Sequence, residues 1–140
     1  MRIAFLGPVG TFSEEAAMRV AGEGDVLIPF ASFPALISAV EADVADVAVL
    51  PVENSIEGSV SGTLDLLIHE TALQICREVV IPVRHCLVTV PGAEITGIKT
   101  VHSHPQALGQ CRRFLERVLP NSHQTAALST AGAVEEVVKR

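Results

Sequence analysis

Short apolar runs alternate with helix-period segments along the whole chain. RIAFL (2–6), VLIPF (26–30) and VAVLPV (47–52) have the length and the apolar, β-branched content of buried strands. Between them lie a glycine loop, GPVG (7–10), and helical patterns from Phe12 to about Val20, over 34–42 and over roughly 61–70. LQICREVVIPVRHCLVTV (73–90) is a long β-prone stretch broken at Pro82. It predicts one strand leaving a first lobe and another entering a second, with the crossover near 80–85. The pattern then resumes with strand KTVHS (99–103), a helix from Pro105 to about Val118, strand QTAAL (124–128) and a helix from Ala131 to Lys139-Arg140. This alternation predicts an α/β fold in two lobes, 1–80 and 81–140, with mostly parallel sheets covered on both faces. The second lobe stops without a cap or closing strand and is expected to be incomplete.

Composition supports a packed domain. Hydrophobic residues make up 49% and charged residues 19% of the 140, and the mean hydropathy is +0.42. Trp and Tyr are absent, so Val, Leu, Ile and Ala must fill the core. Charge divides the chain as the pattern does. Residues 1–70 carry Arg2 and Arg19 against eleven acids, net −9, whereas residues 71–140 carry eight basic groups against five acids, net +3. An acidic chain without Lys/Arg clusters gives no support for nucleic-acid binding. The most apolar stretch, 79–90, is too short to span a bilayer and holds Pro82, Arg84 and His85. MRIAFLGPVG has neither the long apolar run nor the cleavage site of a signal peptide. Cys76, Cys86 and Cys111 are odd in number and show no CxxC spacing, which predicts reduced thiols and a cytoplasmic location.

Three strand ends carry candidate chemistry. After VAVLPV, Glu53, Asn54 and Ser55 supply an acid, an amide and a hydroxyl before the next helix. After the glycine loop, Thr11 and Glu14 have capping-box spacing, while Ser13 in the first turn is not needed by the cap. Ser103 is placed to cap the helix that follows, with Pro105 in its first turn and Gln106 at the box position. Gln110 lies on the same helix face as Gln106. Helix N-termini with hydroxyls and amides suit an anion, above all a carboxylate. Local turn and cap roles account for part of this set, since Asn, Ser and Thr favour such positions anyway. His102 and His104, two residues apart without carboxylates at ligand spacing, make a poor metal site.

Taken together, RIAFLGPVGTFSEEAA, VLPVENSIEGSV followed by TLDLL, IPVRHCLV and VHSHPQALGQCRRFL resemble prephenate dehydratase, in that family's order and over nearly the whole chain. The resemblance implies two α/β lobes similar to type II periplasmic binding proteins, with the active site between them. It implies decarboxylating dehydration of prephenate to phenylpyruvate in phenylalanine biosynthesis, with no organic cofactor and no metal. Residue by residue it implies substrate binding by Thr11, Ser13, Asn54, Ser55, Ser103, His104, Gln106 and Gln110. The family's Thr-Arg-Phe motif, with its catalytic threonine, does not occur in 1–140, and the family's ACT regulatory domain is not expected within these residues either. The chain is therefore expected to be part of a longer enzyme, inactive alone, and its unfinished lobe to favour a homo-oligomer. Arogenate dehydration, or non-catalytic binding of a small molecule on the same fold, are the alternatives.

Overall fold

The computed structural model describes residues 1–56 and 58–139. Glu57, inside the 51–60 elbow, and Arg140, the final residue of the last helical pattern, lie outside the described residues. The chain divides into two compact units, Met1–Pro82 and Val83–Arg140.

In the first unit, β1 (Arg2–Leu6), β2 (Val26–Phe30) and β3 (Val47–Val49) form a parallel sheet in the order β2-β1-β3. The central strand is buried on both faces, which is why it reads as a continuous apolar run. Its side chains alternate between two cores. Ile3 and Phe5 pack with Ala17 of α1 (Phe12–Val20) and with Val20, Leu27, Val47 and Val49. Ala4 points the other way, into Leu36 and Ala39 of α2 (Phe33–Glu41), with Ala45 and Phe30 around them. The chain steps from β1 outward to β2 and then returns across β1 to β3. Right-handed crossovers put α1 and α2 on opposite faces for such a path. The carboxyl ends of β1 and β3 thus meet at a topological switch point, where connections diverge and leave a crevice.

Local signals set the helix ends. Ser32 caps α2 by accepting from the Ala35 N–H at 3.4 Å. At its other end Val44 N–H bonds Ala39 O (2.8 Å) and Asp43 N–H bonds Val40 O (3.1 Å), the paired bonds of a Schellman motif. Asp43 takes the left-handed position there (φ 56°) that glycine usually fills.

Asp43 and Asp46 also tie the α2–β3 turn to β1. The Asp46 carboxylate accepts from the Arg2 guanidinium and from the Arg2 N–H, both at 2.6 Å, and the Arg2 side chain donates to Asp43 O at 2.7 Å. The Arg2 hydrogen bonds hold the Asp46 carboxyl down to about 2. An aspartate in the unfolded chain titrates near 3.9. The depressed group therefore stabilises the fold above about pH 4 and loses that contribution as pH falls through about 2. Urea midpoints taken from pH 5 to pH 2 should fall less steeply for Asp46→Asn than for the parent; equal slopes would contradict this. Asp25 is held low in the same direction, first by the Gly22 N–H (2.7 Å) and then by the Met1 amino group.

Four expectations are corrected. The third strand ends at Val49 instead of 52, and a short hairpin follows, β4 (Glu53–Asn54) paired antiparallel with β5 (Gly58–Ser59). The helix expected over 61–70 is α3 (Ser61–Asp65) continued by a π-helical turn (Leu66–Glu70). No strand forms over 73–90: an extended segment becomes a strand only beside a hydrogen-bonding neighbour, and this one has none among the described residues. The helix expected over 105–118 is two, α4 (Pro105–Gln110) and α5 (Arg112–Val118), broken where Cys111 leaves helical geometry (φ −90°, ψ 2°). Gly109, a weak helix former, stands just before the break.

The second unit contains the parallel pair β6 (Thr100–Ser103) and β7 (His123–Ala126), with α6 (Thr130–Val138) packed on β6. Its buried apolar residues are small in number and size: Ala107, Leu115, Leu119 and Ala133. The fold is α/β with parallel main sheets and no closed barrel.

Candidate functional site

In the first unit the residues singled out from sequence sit where the sheet's switch point directs ligands. Thr11 follows the carboxyl end of β1, and its hydroxyl is shared between two local tasks. It donates to Leu6 O and accepts from the Glu14 N–H, each at 3.3 Å. Glu14 bonds the Gly10 N–H (2.6 Å), one residue earlier than a capping box requires. Gly10 itself adopts φ 85°, a left-handed turn open to glycine, and so brings the chain back into α1. Ser13 lies half-buried in the first turn of α1. Among the polar groups here, the N-terminus of this nine-residue helix supplies partial positive charge beside the crevice.

Asn54 and Ser55 follow the carboxyl end of β3, the strand adjacent to β1. Asn54 is half-buried on β4, and its Oδ1 accepts from the Ile56 N–H at 2.9 Å, an Asx turn that shapes the hairpin. Ser55 is exposed at the hairpin tip. Gly58, opposite Asn54, has φ 82°, which lets the tight return close. The Val60 N–H to Val52 O bond (2.8 Å) then locks the base of the hairpin. The four first-unit candidates thus follow the ends of neighbouring parallel strands.

In the second unit the cap is His104, not Ser103. His104 has extended geometry (φ −60°, ψ 139°), and its Nδ1 accepts from the Gln106 N–H at 3.3 Å. Ser103 is instead the last residue of β6, where its carbonyl accepts from the Ala127 N–H at 2.9 Å. Pairing with β7 keeps Ser103 in the sheet and moves the cap one residue on. Gln106 is therefore at the second helical position and not at the box position. Gln110, half-buried at the end of α4, has Oε1 2.7 Å from His85 Nε2. A cleft of about 430 Å³ opens at the carboxyl ends of β6 and β7, lined by His104, Pro105, Ala126, Ala127, Leu128 and Glu136.

Sequence reasoning missed His85 and Glu136. The two sit close to residues it did select, through contacts that only the register and helix docking create. Parallel pairing sets His102 opposite Thr125, and His102 Nδ1 lies 2.8 Å from Thr125 Oγ1. On the other side of the ring Glu136 Oε2 is 2.9 Å from Nε2 but off its N–H direction, so Nε2 makes no hydrogen bond there. This contact attracts only when the imidazole is charged. Among the described residues no three His, Cys, Asp or Glu side chains are grouped as a metal ion would need. No helix of the described residues is long and apolar enough to cross a membrane. Cys76 and Cys86 are exposed thiols, and partial burial pushes the Cys111 thiol up.

Comparison with known proteins adds an independent line. The family model for prephenate dehydratase matches residues 3–140. A prephenate dehydratase of Amycolatopsis methanolica is 43% identical over 136 residues, covering 97% of this chain and 44% of that protein. Arogenate dehydratase 4, chloroplastic, of Arabidopsis thaliana is 42% identical over 137 residues, covering 98% of this chain and 32% of that protein. A crystal structure of prephenate dehydratase in complex with L-Phe from Arthrobacter aurescens superposes with a TM-score of 0.90 at 37% identity, covering 99% of this chain and 45% of that one. The chain thus spans less than half the length of each of these relatives.

Proposed function

Because the chain belongs to the prephenate dehydratase family, we propose that it forms part of the catalytic region of an enzyme converting prephenate to phenylpyruvate, in the cytoplasm, on the route to phenylalanine. The observation that carries the reading is the switch point between β1 and β3, with GPVGTFS leaving one strand and PVENS the other. In this reading the chain carries two lobes of a binding-protein-like fold, 1–80 and 81–140, that take a dicarboxylate substrate, and the protein works as a homo-oligomer.

The reaction removes the ring carboxylate as CO2 and the ring hydroxyl, which takes up a proton and leaves as water. Aromatisation of the ring drives it. The protein must therefore hold two carboxylates, and it must donate a proton or hydrogen bond to the departing oxygen. Thr11, Ser13 and the N–H groups at the start of α1 bind one carboxylate; Asn54 and Ser55 orient the ring from the adjacent strand end. Ser103, His104, Gln106 and Gln110 serve the other carboxylate and the hydroxyl from the second lobe. N–H and O–H donors do this without a cluster of cations, which suits an acidic lobe of net charge −9.

None of these groups replaces the family's threonine donor, because 1–140 holds no Thr-Arg-Phe. Residues 1–140 by themselves should bind prephenate, seen by calorimetry, yet release little or no phenylpyruvate, seen by absorbance. Full turnover would overturn the assignment of the donor, and absence of binding would overturn the assignment of the site. Arogenate is the second reading, favoured by an identity of 42% to an arogenate dehydratase beside 43% to a prephenate dehydratase. Titrating both ligands side by side distinguishes the two.

A further inference from the structure

We propose that His85 is a positioning residue for Gln110, fixing the side-chain amide so that its nitrogen end is the one presented to the substrate. This deepens the proposed function, which gives Gln110 a substrate contact, and it rests on that reading. Both residues belong to the second unit. The imidazole Nε2 of His85 stands 2.7 Å from Gln110 Oε1, across 25 residues of chain.

The chemistry of the two atoms fixes which end of each group is used. An amide oxygen only accepts hydrogen bonds, so the imidazole carries a proton on Nε2 and donates it to Oε1. The neutral ring is then the Nε2–H tautomer, and a charged ring keeps the same donor. Because the amide is planar, holding Oε1 toward His85 turns the Nε2 hydrogens the other way. The substrate groups assigned to the second lobe, a carboxylate and a hydroxyl oxygen, accept hydrogen bonds, and only the Nε2 end can donate to them. A flipped amide would face the carboxylate with its own oxygen and repel it.

The place of Gln110 in the fold explains why an anchor from elsewhere in the chain is useful. Thr11, Asn54 and His104 are each held by hydrogen bonds to groups no more than five residues away. Gln110 is the last residue of α4, and Cys111 after it has left helical geometry (φ −90°, ψ 2°). A glutamine side chain turns about several bonds, and ordering it only when the ligand arrives lowers affinity. A contact made beforehand removes part of that cost. His85 is exposed and Gln110 half-buried, so water competes for the same groups and the effect is moderate.

Calorimetric titration with prephenate tests the role in the parent, His85→Leu, His85→Gln, Gln110→Ala and the double variant His85→Leu/Gln110→Ala. His85→Leu should weaken binding about three- to tenfold, the penalty for immobilising one long side chain on binding. His85→Gln has a similar reach and keeps an N–H donor, so it should bind within about twofold of the parent. In the Gln110→Ala background His85→Leu should cause no further loss, because the group it positions is gone. His85 is exposed, so neither of its substitutions removes core packing. Equal binding by His85→Leu and the parent would overturn the positioning role alone. Additive losses in the double variant, or no rescue by His85→Gln, would show that His85 acts other than through Gln110 and would also overturn it. A parent that does not bind prephenate would overturn the site reading, and this role with it.

Discussion

Phe5→Ala should cost about 3–5 kcal/mol of stability, the range for truncating a buried aromatic to alanine. Phe5 is 1% exposed at the centre of β1, the strand that pairs with both neighbours in its sheet. Its ring packs with Ile3 and Ala17 and against Val47 and Val49, so removing it opens a cavity between the sheet and α1. Ala17 is too small to fill the gap, and the hydrogen-bonded strands on either side cannot close over it. Domains of this kind are stable by only about 5–15 kcal/mol in all, so the loss is a large fraction of the total. Urea unfolding followed by circular dichroism would measure it. A loss below 1 kcal/mol would show that this core is not packed as described. Leu27→Ala, at a half-buried position packed on the edge of the same cluster, should cost less.

Asn54→Ala should weaken prephenate binding about 10- to 100-fold, the equivalent of one hydrogen bond to a charged group, about 1.5–3 kcal/mol. Two losses combine in this variant. The proposed contact with the ligand disappears, and so does the 2.9 Å bond to the Ile56 N–H that shapes the hairpin. Asn54→Asp separates them, because aspartate keeps the Asx acceptor but adds a negative charge facing a dicarboxylate. If both variants bind weakly, the amide itself is the contact. If Asn54→Asp binds as the parent does, Asn54 serves only the turn. Calorimetric titration of each variant reads the outcome directly.

Much of the fold is legible in local pattern. RIAFL and VLIPF coincide with β1 and β2, because a strand buried on both faces must be apolar at every position. Thr11 marks a helix start by the hydrogen bond its side chain accepts, and the structure adds Ser32 and Ser129 as caps of the same local kind. What pattern misplaced depends on partners. VRHCLVTV has a strand's composition but stays unpaired among the described residues, since a strand is defined by its neighbour and not by its own residues. The Glu53–Ser59 segment reads as a plain elbow, yet it closes as a hairpin because Gly58 can take φ 82° opposite Asn54. Ser103 has the side chain of a cap, but sheet pairing with β7 claims its carbonyl and passes the cap to His104.

The candidate site divides in the same way. Residue types at strand ends and helix starts singled out Thr11, Ser13, Asn54, Ser55, Ser103, Gln106 and Gln110, although local caps and turns explain part of that set, and His104 joined them only through the family resemblance. By itself the sequence determined the α/β class and the family, because apolar periodicity, caps and contiguous motifs are properties of near neighbours along the chain. Only the tertiary structure decided that β3 returns to the far side of β1, so that GTFS and ENS leave adjacent strands. That order is set by which side chains of Ile3, Ala4 and Phe5 bury against α1 and which against α2. No window of sequence contains it, because it arises when segments more than twenty residues apart compete for the same buried surface.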